Sequence, residues 1–336
     1  MIKFNHERIK KMKKLILMVS SLAAAVFSTS AANADVSVSG SYGLHMITGG
    51  NTTGGDTTTD NVSTTGTMFL QGGGVAFSLS TATAGGMSVS AGAGITLDSN
   101  DNANATAATG LSAVTFAADG FSITVGEIDI VGGDVGEVGN VAGAEVDEGG
   151  YGAGAVDSAT GIANTEGYGF NASTTVAGAT VSLGYLMDYA NSGINNVETA
   201  SGDYASGLSI ALPVGSATVT LATASQSGTA DETTTAGTIS MPLEGMTVSA
   251  GFQSTDEATD STSYGIAVSG SLDADTSWAV GYQSGEQGSN SSTKTEAKLS
   301  RSLGGGVSVY AELQNTSGYT TGSVGTNIAV GTTVSF

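Results

Sequence analysis

The sequence predicts an all-β fold, a 16-stranded antiparallel transmembrane β-barrel with long outer loops, short periplasmic turns and an inward-folded third loop. Three observations predict it: period-two alternation, connections sorted by length, and the spacing of the strands. In ATVSLGYLMDY (179–189), Val181, Leu183, Tyr185, Met187 and Tyr189 share one face, with Thr180, Ser182, Gly184 and Asp188 on the other. That is a strand with one apolar side. The alternation recurs in 217–226, 246–253 and 307–314, and no stretch after residue 34 has a helical period.

Short turns lie at 83–86, 118–120, 176–179, 213–216, 242–245, 272–275 and 303–306. Longer polar loops lie near 49–61, 98–109, 130–166, 191–202, 227–232, 255–260, 285–292 and 316–324. Seven turns and eight loops leave sixteen strands, an even number with long connections at one end only, as a membrane barrel has. Segments of about ten residues suit tilted strands crossing the hydrocarbon layer. A soluble sandwich has no reason to sort its connections this way. Pro213 and Pro242 both fall at short turns, where a missing N–H costs no ladder bond.

Residues 1–34 read as a cleaved signal peptide. Lys10, Lys11, Lys13 and Lys14 form a basic start, Leu15–Phe27 a short apolar run, and Ala32-Asn33-Ala34 the cleavage site. Met12 is an alternative start. Residues 35–336 then form the barrel. The leader takes six of the nine cations and one of the thirty carboxylates, so 35–336 keep three cations against 29 carboxylates, a formal charge of −26. Those cations are Lys294, Lys298 and Arg301. So acidic a chain has no nucleic-acid partner, because phosphate contacts need basic residues. Without cysteine there is no disulfide and no thiolate metal site.

Carboxylates concentrate in the longest connection. Glu127, Asp129, Asp134, Glu137, Glu145, Asp147, Glu148, Asp157 and Glu166 occur with no Lys, Arg or His between them. Such a segment stays solvated, since unpaired carboxylates resist burial. DSNDNANATAATG (98–110) starts like a calcium loop, then has Ala103 where glycine is needed and Thr109 where the bidentate Glu belongs. No cofactor and no metal site are expected, beyond divalent cations such as calcium held loosely by the loops. His45, the only His after residue 34, lies on the lumen parity of the first strand and founds no catalytic triad. Trp278, Tyr282 and Phe252 have outward parity, suited to an interfacial aromatic girdle.

The final strand, NIAVGTTVSF, ends on Phe336. It resembles the segment by which outer-membrane barrels are read by their assembly machinery, and Phe336 is the candidate signal residue. DVSVSGSYGLHM resembles the first strand of the general Gram-negative outer-membrane porins, closest to the small alphaproteobacterial type. DGFSITVGEIDIVGG resembles that family's fifth strand and its exit into the third loop. The resemblance covers residues 35–336 in layout more than in identities. It implies a homotrimer in outer-membrane lipid, with residues 130–166 folded inward to narrow each pore.

The implied function is a water-filled channel for passive diffusion of small hydrophilic solutes and cations, without covalent chemistry. Asp134, Glu137, Glu145, Asp147, Glu148, Asp157 and Glu127 are the candidate constriction residues, and acidic rings there favour cations. Where the family typically has Arg after the glycine closing the fifth strand, this chain has Glu127 after Gly126. Strict alternation turns Glu127 outward; a bulge at Gly126 would turn it into the pore. In TKTEAKLSRSL, Ala297, Leu299 and Leu303 define an outer face, so Lys294 and Lys298 are the candidate basic pore wall. The alternatives are a substrate-specific porin and a non-conducting surface barrel or adhesin.

Overall fold

In the computed structural model, the described residues are 34–54, 62–83, 85–99, 106–111, 113–133, 135–136, 138–139, 141, 166–187, 204–227, 231–256, 259–318 and 325–336. The signal peptide through residue 33 lies outside them. They form one closed antiparallel sheet of sixteen strands. These are β1 (Ala34–Gly54), β2 (Val62–Ala82), β3 (Ser88–Ser99) and β4, which has two segments, Thr106–Leu111 and Val114–Ala118. Next come β5 (Phe121–Asp129), β6 (Glu166–Val176), β7 (Ala179–Met187), β8 (Tyr204–Val214), β9 (Ala217–Ser227) and β10 (Glu232–Leu243). The last six are β11 (Met246–Asp256), β12 (Ser261–Ser271), β13 (Thr276–Gln287), β14 (Asn290–Gly304), β15 (Val307–Ser317) and β16 (Gly325–Ser335).

Each strand pairs with its sequence neighbours, and β1 pairs with β16 to close the ring. Closure removes the edges that an open sheet would expose. Phe336 seals this seam. It exchanges two backbone hydrogen bonds with Gly40 (2.8 and 3.0 Å), and its ring lies over that glycine.

The barrel is apolar outside and polar within. Val36, Leu79, Leu183, Leu221, Ile266, Val280, Leu299 and Ile328 are exposed on the outer face. Gln253, Gln283, Glu296, Glu312, Gln314 and Asn327 are buried on the inner one. Lipid supplies the missing apolar partner outside, so a charge there is costly. Leu221→Arg is expected to destabilise the barrel by about 2–4 kcal/mol if its site is near mid-bilayer, measured by denaturant unfolding in lipid. Inside, hydroxyls pair across neighbouring strands: Ser173 with Ser182 (3.2 Å), Ser240 with Ser249 (3.0 Å), Thr115 with Thr124 (2.9 Å) and Ser308 with Thr333 (2.6 Å). Much of the Ser/Thr content thus knits the inner wall.

Turn chemistry sets the short end. Ala177-Gly178 (φ 53° and 86°) and Glu244-Gly245 (φ 48° and 85°) have both central residues left-handed, as two-residue hairpins with a matching twist require. Pro213 and Pro242 lie in β8 and β10, next to last, rather than in the turns. The β7–β8 ladder ends at Ala211 and the β9–β10 ladder at Ser240, so on that side neither missing N–H breaks a bond.

Three sequence expectations are corrected. The connection at 285–292 is a tight turn at Gly288-Ser289, because β13 and β14 stay paired to Gln287 and Asn290. β1 and β2 run 21 residues each, beyond ten, since their ladder continues past a shift between Gly49 and Thr52. The calcium-like stretch is partly strand, with Asp98 paired to Gly72 and Thr106.

Candidate functional site: the third loop against the inner wall

The loop that follows β5 turns inside the barrel and crosses its inner wall. It is fixed first by an apolar cluster in a mostly polar lumen. Ile130 packs with Leu186 of β7, Ala205 of β8 and Ala224 of β9, supported by Ile128. Burying one such aliphatic side chain contributes about 1.5–3 kcal/mol.

Beyond Ile130 the loop backbone lies on inward-facing glycines. A Cβ on Gly184 would stand 3.0 Å from the Val131 nitrogen, and one on Gly207 would collide with the Val131 carbonyl oxygen. On β11, a Cβ on Gly251 would meet the Val138 side chain at 2.6 Å and the Gly136 oxygen at 2.9 Å. On β12 and β13, Cβ atoms on Gly265 and Gly281 would collide with the carbonyl oxygens of Val138 and Gly139. Backbone approaches this close only where no side chain intervenes.

The crossing ends on a carboxylate. The Val141 N–H donates to Glu296 Oε2 of β14 at 2.6 Å. Glu296 Oε1 accepts from Gln314 Nε2 at 3.2 Å and lies 3.4 Å from Lys294 Nζ. Lys294 and Glu296 have side chains only 4% and 0% exposed. A charge-assisted bond at such depth is among the stronger ones available to a loop.

Lys298, two residues on, bonds Glu312 Oε1 of β15 at 2.7 Å, with side chains 35% and 1% exposed. Its ammonium also stands 5.8 Å from the centre of the Tyr310 ring. The Tyr310 hydroxyl meets His45 Nδ1 across Gly331, whose missing side chain leaves room for both rings. His45, Tyr310, Lys298 and Glu312 thus form one polar row over β1, β15 and β14. Arg301 faces out near the short turns, 3.5 Å from Asp273 and 3.1 Å from Thr276 Oγ1. The Asp275 backbone N–H, then the Thr276 hydroxyl, hold the Asp273 carboxyl below its ordinary pKa.

The acidic candidates divide. Asp134, Glu137, Glu145, Asp147, Glu148 and Asp157 lie outside the described residues. Glu127 pairs with Tyr168 in an unbroken β5–β6 register, and Tyr168 is exposed on the outer face. Residues directly opposite share a face, so Glu127 points away from the pore, and its place among the constriction residues is corrected. The irregularity is on the neighbouring strand. From Ser90 to Ala93 β3 advances three residues while β4 takes four, Leu111 to Thr115. The extra residue, a bulge, falls between Leu111 and Thr115, and Ala113 presses on Gly126, where a Cβ would lie 2.9 Å away.

Alternation along the strands places Lys294, Glu296, Lys298 and His45 on the inner wall and Glu312 and Gln314 on the polar face of 307–314, as the structure does; it does not reveal their pairing or the glycine seat. Glu296 was visible as a same-face neighbour of both lysines. Nothing local marked Glu312, on the neighbouring strand, as the partner of Lys298.

Comparison with known proteins settles the family. The Gram-negative porin family matches residues 21–321. The chain belongs to that family. Searching curated sequences gives no match. Among solved structures, the OmpT loop L8 deletion mutant of Vibrio cholerae is similar at TM-score 0.63 and 12% identity, covering 90% of this chain and 99% of its own. A mutant porin of Rh. blastica is similar at TM-score 0.58 and 14% identity, over 90% and 100%. An anion-selective porin from Comamonas acidovorans is similar at TM-score 0.61 and 11% identity, again over 90% and 100%. Family and fold make this porin an outer-membrane channel rather than an enzyme, and its location is the bacterial outer membrane.

Proposed function

We propose that this porin is a general diffusion channel that prefers cations. One observation carries the reading: all three cations after residue 34 have a carboxylate at hand, Glu296 for Lys294, Glu312 for Lys298, and Asp273 for the outward Arg301. Against them stand 29 carboxylates. An anion-selective porin shares this barrel, so architecture does not set the sign; the wall and loop charges do.

In this reading Asp134, Glu137, Glu145, Asp147, Glu148 and Asp157 line the constriction and draw cations through it. Lys294 serves the loop's attachment rather than a basic pole. The working form is a homotrimer in outer-membrane lipid, in keeping with a similar structure described in a trimer form. The assembly machinery recognises Phe336, and divalent cations bind the loops loosely. Ion replacement in planar bilayers tests the preference. Exchanging K⁺ for a bulky organic cation should lower single-channel conductance more than exchanging Cl⁻ for a bulky organic anion; the reverse order contradicts it.

A further inference from the structure

GDVGEVGNV (133–141) consists of three tandem triplets, each glycine, a polar residue and valine. Its glycines touch successive strands as the loop crosses the barrel. Gly132, just before the first triplet, lies between β8 and β9, where its Cβ would be 3.1 Å from Ala222 Cβ, 3.2 Å from the Leu208 oxygen and 3.4 Å from the Thr223 oxygen. Gly136 lies on β11, with a Cβ 2.5 Å from the Phe252 oxygen. Gly139 lies on β13, with a Cβ 2.5 Å from the Tyr282 oxygen. From Gly136 to Gly139, three residues carry the loop two strands onward.

The crossing is turned rather than extended: the Val138 N–H donates to the Gly136 carbonyl at 2.9 Å, and Gly139 has φ 109°, a conformation that favours glycine. The wall answers with Gly251, Gly265 and Gly281 on three consecutive strands; at Gly265 and Gly281 loop and wall meet backbone to backbone, while at Gly251 the Val138 side chain comes first.

The geometry points to a spacing device: the facing glycines fix how far the third loop stands from the wall, and so the width left for solutes. This rests on the channel reading and adds to it the element that sets the size limit. A methyl group on the wall cannot be absorbed by a close-packed contact. It lifts the loop toward the pore axis and narrows the passage, without adding or removing a charge.

Gly265→Ala, Gly281→Ala and their combination test this, with Gly94→Ala as control. Gly94 is also on the inner face, but among the described residues a Cβ there meets only the Val75 oxygen, at 3.9 Å. Single-channel conductance in G265A and G281A should fall about two-fold, further in the double variant, as expected for a pore limited at one constriction. The largest sugar entering proteoliposomes should shrink, the sign of the reversal potential should stay the same, and G94A should behave like the parent. If G265A fails to assemble, G251A carries the test, because its methyl meets the Val138 side chain before any backbone atom. Unchanged conductance and sugar limit in assembled variants would overturn the spacing device alone. An unaltered protein giving no channel steps would overturn the channel reading and this inference together.

Discussion

Glu296→Ala is expected to lower the barrel's stability by several kcal/mol and to turn steady channel openings into flickering ones. The carboxylate binds the Val141 N–H, Gln314 and Lys294 at once, in full burial. Removing it leaves Lys294 as a buried cation without its carboxylate, and breaking such a pair costs about 3–5 kcal/mol. It also takes from the Val141 N–H its acceptor, a loss of about 1–3 kcal/mol. Two further variants separate these effects. Glu296→Gln keeps an acceptor for the loop and should preserve quiet openings, though it remains destabilised. Adding Lys294→Met to it should recover much of that stability. Denaturant unfolding in lipid and single-channel noise report the two quantities. If E296A unfolds and conducts like the parent, Glu296 does not fasten the loop.

Glu312→Gln should move ion preference toward anions, without touching the loop. Glu312 neutralises Lys298, the more exposed of the two lumen lysines. The amide retains an acceptor for the ammonium, so Lys298 should stay in place while one positive charge becomes uncompensated. At a wall of low local dielectric that charge acts over much of the pore cross-section. The cation-to-anion permeability ratio is expected to fall about two-fold, and the change should weaken as salt is raised, because screening shortens its reach. An unaltered ratio at low salt would mean that Lys298 lies outside the field felt by the ions.

Barrel and lumen parity were legible in the sequence because lipid and water impose opposite polarity on alternate residues, so Leu183 and Gly184 declare their faces without any tertiary knowledge. Turn length was legible because Ala177-Gly178 and Glu244-Gly245 are local signals. The wall contacts of the third loop were not. Val141 and Glu296 are 155 residues apart, and the seat between them is made of glycines, which carry no side chain to announce a partner. The local clue was the Gly–polar–Val triplet, which has meaning only once its glycines are set against the wall. Gly126 has an unusual backbone (φ 142°) but no bulge in its ladder with β6; the bulge lies in β4, in a small-residue stretch whose pattern hides one inserted residue. Glu127 therefore keeps the face that plain alternation assigns it.

Cation preference is the central claim, and the reversal potential of the reconstituted protein under a KCl gradient tests it most directly. The paired lysines and the 29 carboxylates predict a zero-current potential displaced toward the K⁺ equilibrium value, diminishing as ionic strength rises. A potential displaced toward the Cl⁻ equilibrium value would contradict the account.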